Sequence, residues 1–148
     1  MAFLNAMNVS ASGLTAQRLR LDTIAENISN SKTTRTEGGE AYRRKMVVFE
    51  PIAQGGFRDR LTQAAGGSLN GLQGGVQVSQ IIEDESEFKS VYDPSHPDAD
   101  ENGYVMYPNV DLLKETIDSM EASRAYDANV TAFNAIKEMA SKGLEIGN

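Results

Sequence analysis

The sequence predicts an α+β fold in which long N- and C-terminal helices pack as a coiled-coil-like pair, with a small, β-rich and Gly-rich central segment between them. Three observations support this prediction. Apolar residues recur at helical spacing in both ends of the chain, short runs of β-forming residues occur in the middle, and most of the 13 glycines lie there too. The length of 148 residues suits one ordinary domain.

The first predicted helix runs from about Phe3 to Asn30. Its apolar face steps by three and four residues along the chain, which is the spacing of one side of an α-helix. The members of this face are Leu4, Met7, Ala11, Leu14, Arg18, Leu21, Ala25 and Ile28, with Arg18 as the only charge. Such a helix would be roughly 40 Å long at 1.5 Å per residue, and helices of that length usually have a partner.

The second predicted helix starts at Asn109 or Asp111, either of which can cap free N–H groups, and ends near Gly143. Its second half has a heptad stripe of Ala122, Tyr126, Asn129, Phe133, Ile136 and Ala140, whereas Leu113, Ile117 and Met120 follow a different phase. The change of phase widens the apolar face, so the helix could touch more than one neighbour. The two helices can pair within one chain and still leave an apolar flank for other subunits.

The sequence of the middle of the chain predicts a linker followed by one small sheet. Ser31 to Ala41 is polar and Gly-rich, as expected for a linker. Strands are expected at Arg44 to Phe49, Val76 to Ile82 and Phe88 to Tyr92, where β-forming residues are concentrated. The segment from Gly55 to Gly75 has few large side chains, and we expect it to be a mobile loop.

Composition excludes several classes of function. The net charge of −7 and a pI near 4.7 argue against a nucleic-acid surface, which needs clustered cations. The only basic cluster is the run from Tyr42 to Lys45, which we interpret as the start of a strand with solvated charges. The absence of cysteine excludes disulfides, thiolate nucleophiles and Cys-ligated zinc. No apolar run is long enough for a membrane span, and the N-terminus lacks the pattern of a cleaved secretory signal.

The chain has no convincing catalytic constellation. Its one histidine, His96, lies between prolines in a predicted loop and has no second imidazole or thiolate beside it in the sequence, although acid–base catalysis and triads need a second positioned group. We therefore predict that the protein is not an enzyme and has no catalytic residues, cofactor or metal.

The strongest alternative to that prediction is a calcium loop. Its opening pattern is matched by Asp98, Asp100, Asn102 and Gly103. The twelfth position, however, is Asn109 where a bidentate glutamate is required. A rigid turn, in which the Asp side chains bind nearby backbone and Gly103 permits a tight reversal, is the favoured interpretation. A calcium-binding interaction module remains the weaker alternative.

Three segments carry a resemblance to a known family. The run from Ser10 to Gln17, continued by Leu21 and by Ile24 to Ile28, resembles the N-terminal motif shared by the axial proteins of the bacterial flagellum. The runs from Asp93 to Asp111 and from Glu121 to Val130 are more specific and resemble the short proximal-rod members of that family. Glu40 and Ala41 depart from the pattern, because a proline is expected there. Another short rod subunit is the nearest alternative.

The resemblance implies a structural subunit of the basal-body rod, which crosses the cell envelope and transmits torque from motor to hook. It further implies export through the flagellar type III apparatus and helical assembly with other rod proteins and with copies of the same chain. By the same resemblance, segments 1–30 and 109–148 would form an inner axial core around the export channel, and segment 31–108 would lie between them.

We expect the subunit interface to use the terminal stripes. The predicted interface residues are Leu14, Arg18, Leu21, Ile28, Tyr126, Asn129, Phe133 and Ile136. Arg18 would need a carboxylate or carbonyl partner once it is buried.

Overall fold

The structure is a computed structural model that describes residues 2–52 and 74–146, except for the side chains of Ala2 and Ile146. Along the chain the elements are α1 (Ala2–Ser29), β1 (Lys45–Pro51), β2 (Val76–Glu83), β3 (Lys89–Tyr92), β4 (Tyr104–Tyr107) and α2 (Leu112–Ile146). Two long helices and two short strand pairs confirm the predicted α+β class. Most of the loop expected from Gly55 to Gly75 lies outside the described residues.

The ends of α2 test two sequence predictions. Asp111 caps the helix as expected, since its Oδ1 accepts hydrogen bonds from the backbone N–H of Leu113 at 3.0 Å and of Lys114 at 3.4 Å. The predicted end near Gly143 is wrong, because α2 continues to Ile146. Glycine ends a helix by adopting positive φ, and Gly143 is not among the glycines that do so.

The prediction of one sheet is also wrong, because the strands form two separate pairs, β1 with β2 and β3 with β4. The second pair is antiparallel, with Lys89 opposite Tyr107 and Tyr92 opposite Tyr104. The chain reverses before β4 at Gly103, whose φ of 80° is readily adopted by glycine alone. This reversal returns the chain beside β3 and produces β4, a strand that is not among those predicted from the sequence.

The chain divides into two compact units. Unit 1 comprises Met1–Gln17, Phe49–Ser79 and Ala125–Asn148. Within it, α1 approaches α2 closely at Gly13, where an added Cβ would lie 3.0 Å from Oδ1 of Asn129. The hydroxyl of Ser12 accepts a hydrogen bond from the N–H of Val76 at 3.1 Å. Small side chains on α1 therefore permit close contact with both α2 and the start of β2.

Unit 2 comprises Arg18–Val48 and Gln80–Arg124. Here α1 and α2 run antiparallel, because Arg20 lies 3.7 Å from Asp118 while Asn27 lies 3.0 Å from Glu115. The buried apolar residues of this unit among those described are Ile24, Ala41, Tyr42, Val105, Pro108, Val110 and Ala122. Thr23, Asn27 and Glu115 are buried with them, so the core of unit 2 is small and contains a charged group.

Candidate assembly site

A buried polar cluster joins three segments of unit 2, and we call its members Asn27, Tyr42, Arg44 and Glu115 the polar latch. Asn27 is only 1% exposed. Its Nδ2 donates to the carbonyl of Lys45 at 2.9 Å and to Oε2 of Glu115 at 3.0 Å. Its Oδ1 accepts from the Tyr42 hydroxyl and from the N–H of Lys45, both at 2.9 Å. The amide therefore uses both of its donors and both acceptor positions.

Glu115 is the charged centre of the latch. It is fully buried, and its Oε1 accepts a hydrogen bond of 2.6 Å from Nε of Arg44. The guanidinium of Arg44 also lies 3.3 Å from Asp118 and 3.8 Å from Asp84, and its side chain is 12% exposed. A buried charge is tolerated only when it is paired and hydrogen-bonded, and this arrangement meets that condition.

The prediction of solvated charges at Tyr42 to Lys45 is therefore wrong for Arg44, whose charge is largely buried. Besides Tyr42 and Arg44 in the latch, the guanidinium of Arg43 lies 4.3 Å from the centre of the Phe88 ring, a cation–π contact. Nζ of Lys45 donates to Glu26 at 2.6 Å. The partners lie far away along the chain, 71 residues in the case of Glu115, so periodicity and composition contained no signal for them.

The environment of the latch shifts two pKa values. Burial, followed by the nearby charges of Glu26, Glu83 and Glu115, raises the pKa of Tyr42 to about 12. The Tyr42 hydroxyl thus keeps its proton and can donate to Asn27 throughout the neutral range. Hydrogen bonds from the backbone and side chain of Ser86 lower the pKa of Asp84, whose carboxylate faces Arg44.

The structure leaves the predicted interface residues incompletely buried. On α1, Leu14, Leu21 and Ile28 are half-buried and Arg18 is exposed; on α2, Tyr126, Asn129, Phe133 and Ile136 are half-buried. Arg18 forms no ion pair with any residue that the structure describes. Among the described side chains of α1, the buried ones are instead Ser10, Ala16, Thr23, Ile24 and Asn27. In each unit, the most buried face of this helix thus consists largely of polar or small side chains.

A second apolar stripe on α2 is exposed. Leu113, Ile117 and Met120, which we call the outer stripe, are 71%, 51% and 53% exposed. The change of helical phase identifies this stripe in the sequence, but the predicted interface residues do not include it. Exposed apolar patches of this kind mark interaction surfaces in soluble proteins.

The acidic loop before β4 is the rigid turn that the sequence predicts. Oδ1 of Asp100 accepts hydrogen bonds from the N–H groups of Asn102 and Tyr104, both at 2.9 Å. Asp98 accepts one of 2.8 Å from the Thr34 hydroxyl, and Nδ1 of His96 accepts one of 3.1 Å from the N–H of Asp98. In this arrangement His96 stabilises the loop.

Comparison with known proteins agrees with the resemblance seen in the sequence. Residues 7–35 match the family model described as flagella basal body rod protein, and residues 101–146 match that of the flagellar basal body rod FlgEFG protein C-terminal region. The flagellar basal-body rod protein FlgC of Bacillus subtilis is 49% identical over 151 aligned residues, which cover 99% of both chains. The chain belongs to the FlgC family.

Other FlgC proteins are similarly close. The protein from Borreliella burgdorferi is 42% identical, covering 99% of this chain and 98% of its own. The one from Salmonella typhimurium is 40% identical with 99% coverage of both. FlgC proteins are by name components of the basal-body rod, so the predicted resemblance to flagellar rod proteins is confirmed. No helix in the described part of the chain has the length and apolar character needed to cross a membrane.

Proposed function

We propose that this chain is a structural subunit of the proximal rod that assembles helically through its terminal segments 1–30 and 109–148 and catalyses no reaction. In this proposal the rod encloses the export channel, crosses the cell envelope and transmits torque from motor to hook. Membership of the FlgC family supports a structural role in the basal body. The observation that carries the mode of assembly is the outer stripe, which is exposed although α2 also has a buried face.

The energetics of the exposed side chains support assembly by burial. Burying an aliphatic or aromatic side chain contributes about 1.5 to 3 kcal/mol before entropy costs. Several such side chains, from the outer stripe and from the half-buried predicted interface, could together hold a subunit in place. A contact between two different surfaces repeats as an open helical array, whereas a two-fold contact would close into a dimer. Helical growth therefore requires contacts of the first kind.

Export through the flagellar type III apparatus also fits the distribution of stabilising contacts. The polar latch needs α1, the segment after it and α2 together, since Asn27, Arg44 and Glu115 come from these three parts. A chain that is still passing through a narrow channel in extended form cannot close the latch. We infer that unit 2 folds only after α1 and the part of α2 that carries Glu115 have both emerged.

Substitution of the predicted interface tests the proposal. Leu21→Asp or Phe133→Asp should prevent incorporation into purified basal bodies and abolish motility, while synthesis of the subunit continues. Asp22→Asn, at an exposed neighbouring position, is the control and should assemble normally. Because Leu21 and Phe133 are half-buried, circular dichroism of each purified variant should be compared with the parent chain. Normal swimming by both Asp variants would contradict assembly through the terminal helices.

A further inference from the structure

A groove in unit 2 lies between the turn after α1, the acidic loop and strand β4. Its volume is about 480 Å³, within the range typical of binding pockets. We call it the hairpin groove, and the lining residues that matter here are Glu40, Phe88, Asp98, Asp100, Tyr104 and Met106. None of these residues belongs to the polar latch or to the predicted interface.

The walls of the hairpin groove are held in place by hydrogen bonds. The Thr34 hydroxyl donates to Asp98 at 2.8 Å and so ties one wall to the other. The N–H of Gly39 donates to the carbonyl of Thr36, and the N–H of Asp100 donates to the carbonyl of Tyr104, both at 2.9 Å. A partner would therefore meet a preformed surface, which lowers the entropy cost of binding.

The floor of the groove continues into an exposed aromatic face of the β3–β4 pair. Tyr92, Tyr104 and Met106 are 64%, 44% and 47% exposed. The rings of Tyr92 and Tyr104 pack edge to face, with centroids 5.3 Å apart. Tyrosine and methionine are enriched in the cores of protein–protein interfaces, so this face has the composition of a docking surface.

The rim of the groove has more negative than positive charge. Asp98 is paired with Arg35 at 3.7 Å. The carboxylates of Glu40 and Asp100 have no cationic partner among the described residues. An occupant should therefore bring a cation together with apolar surface.

Arg18 has the complementary properties. It is exposed and lacks an ion-pair partner in the described part of the chain, it belongs to the apolar stripe that includes Leu14 and Leu21, and Leu19 beside it is 36% exposed. The stem of an arginine packs on aromatic rings while its guanidinium binds carboxylates. We propose that the hairpin groove of one copy binds Arg18 and the adjoining face of α1 from another copy.

This inference rests on the proposed function, because it assigns one contact between copies in the rod. The two surfaces differ, so the contact is heterologous and can repeat without closing. It also provides the carboxylate partner that Arg18 requires when it is buried.

A charge exchange tests the contact. Glu40→Lys and Arg18→Glu should each reduce incorporation into basal bodies by about tenfold or more, the loss expected for an interfacial charge pair. The double variant Glu40→Lys with Arg18→Glu should recover most of that loss. The matched control is Glu37→Lys, which makes the same charge change at an exposed position in the same turn but outside the groove. It should assemble normally and should not rescue Arg18→Glu.

Cross-linking gives a second, direct measurement. Because the chain has no cysteine, Thr15→Cys and Met106→Cys can be introduced together while Arg18 is kept. A short thiol cross-linker applied to basal bodies should give a ladder of covalent multimers with the double variant and none with either single variant. Absence of the ladder, or links only to a different protein, would overturn the proposal.

The outcomes separate this contact from the proposed function. Normal assembly of Glu40→Lys and Arg18→Glu, with loss of assembly in Leu21→Asp, would refute the groove contact and support assembly through the terminal helices. Normal assembly of Leu21→Asp and Phe133→Asp would refute the proposed mode of assembly itself.

Discussion

Glu115 and Ile117 are two residues apart on α2, yet their side chains have opposite environments. Glu115 is fully buried and binds Arg44 and Asn27, whereas Ile117 is 51% exposed. In a protein that acts as a monomer, a charged side chain is rarely buried completely and apolar side chains seldom line up on the surface. The polar latch and the outer stripe thus reverse the usual distribution within one short stretch of helix.

The difference shows that polar and apolar contacts have different roles in the subunit. A buried network of hydrogen bonds is stable only with the correct partners in the correct positions, and it therefore specifies how α1, the following segment and α2 fit together in unit 2. Apolar contact is less directional, and it suits surfaces that are repeated between subunits. The subunit uses polar contacts for specificity within unit 2 and leaves apolar surface available for assembly.

The largest expected effect concerns the outer stripe. Ile117→Asp should abolish incorporation into basal bodies, because it places a charge on a surface that we propose is buried between subunits. The free energy of unfolding of the purified chain should change by no more than about 0.5 kcal/mol, as is usual at exposed positions. Urea denaturation and analysis of basal bodies measure the two effects separately.

Ser123→Asp is the control for the outer stripe. Ser123 is also exposed on α2, but it points about 120° away from Ile117 around the helix and at least about 60° away from Leu113 and Met120. It should assemble normally. If Ile117→Asp assembled as well as Ser123→Asp, the outer stripe would not be an interface.

Substitution in the polar latch should, in contrast, lower the stability of the purified chain. Glu115→Leu leaves the guanidinium of Arg44 and the amide of Asn27 without their buried partner, and loss of one partner of a buried pair costs about 3 to 5 kcal/mol. The expected result is a much lower urea midpoint for the full chain, followed by far-UV circular dichroism. Glu121→Leu removes a carboxylate that is 64% exposed and only 4.0 Å from Arg20, and it should cost at most about 1 kcal/mol. Equal losses in the two variants would show that the latch is not a stabilising element.

A smaller effect on stability should distinguish a closely packed glycine on α1 from an open glycine on α2. Gly143→Ala meets no atom within 4 Å and should stabilise the chain by about 0.5 to 1 kcal/mol, the usual gain over glycine in a helix. Gly13→Ala should lose that gain, because its Cβ would lie 3.0 Å from Oδ1 of Asn129. The Asn129 amide is held by a hydrogen bond of 2.9 Å to the carbonyl of Ala125. Thermal unfolding of both variants measures the difference, and equal stabilisation would contradict close packing at Gly13.

Much of the fold could be predicted from local patterns, and the latch could not. Helical periodicity located both helices, and Asp111 marked the start of α2 because capping depends on neighbouring residues. Strand pairing failed, since β4 became a strand only through the reversal at Gly103. The partners of Arg44 depend on contacts between distant segments, for which neither spacing nor composition contains a signal.

The predicted interface illustrates the same limit. The spacing correctly identified an apolar stripe on α1, but it could not tell which face of the helix the chain itself would cover. The structure buries the neighbouring face with Ala16, Thr23 and Asn27, where the small or polar side chains allow close approach and hydrogen bonding. The apolar stripe is left half-buried, and its role between subunits stays a prediction.

The last expected effect is absent at neutral pH, appears only at alkaline pH and tests whether Tyr42 must be neutral in the polar latch. The pKa of Tyr42 rises from its ordinary value of 10.0 to about 12 in the folded chain. The corresponding stability is fully present below pH 10 and is lost as the pH rises towards 12, because the unfolded tyrosine ionises first. The free energy of unfolding should therefore fall over this pH interval. Tyr42→Phe should make the fall shallower, because phenylalanine does not ionise. The variant also loses the hydrogen bond to Asn27, which costs about 1 kcal/mol. The control is Tyr92→Phe, at a 64% exposed position, which should leave the dependence of stability on pH unchanged. Identical slopes in the parent and Tyr42→Phe chains would mean that ionisation of Tyr42 does not destabilise the polar latch.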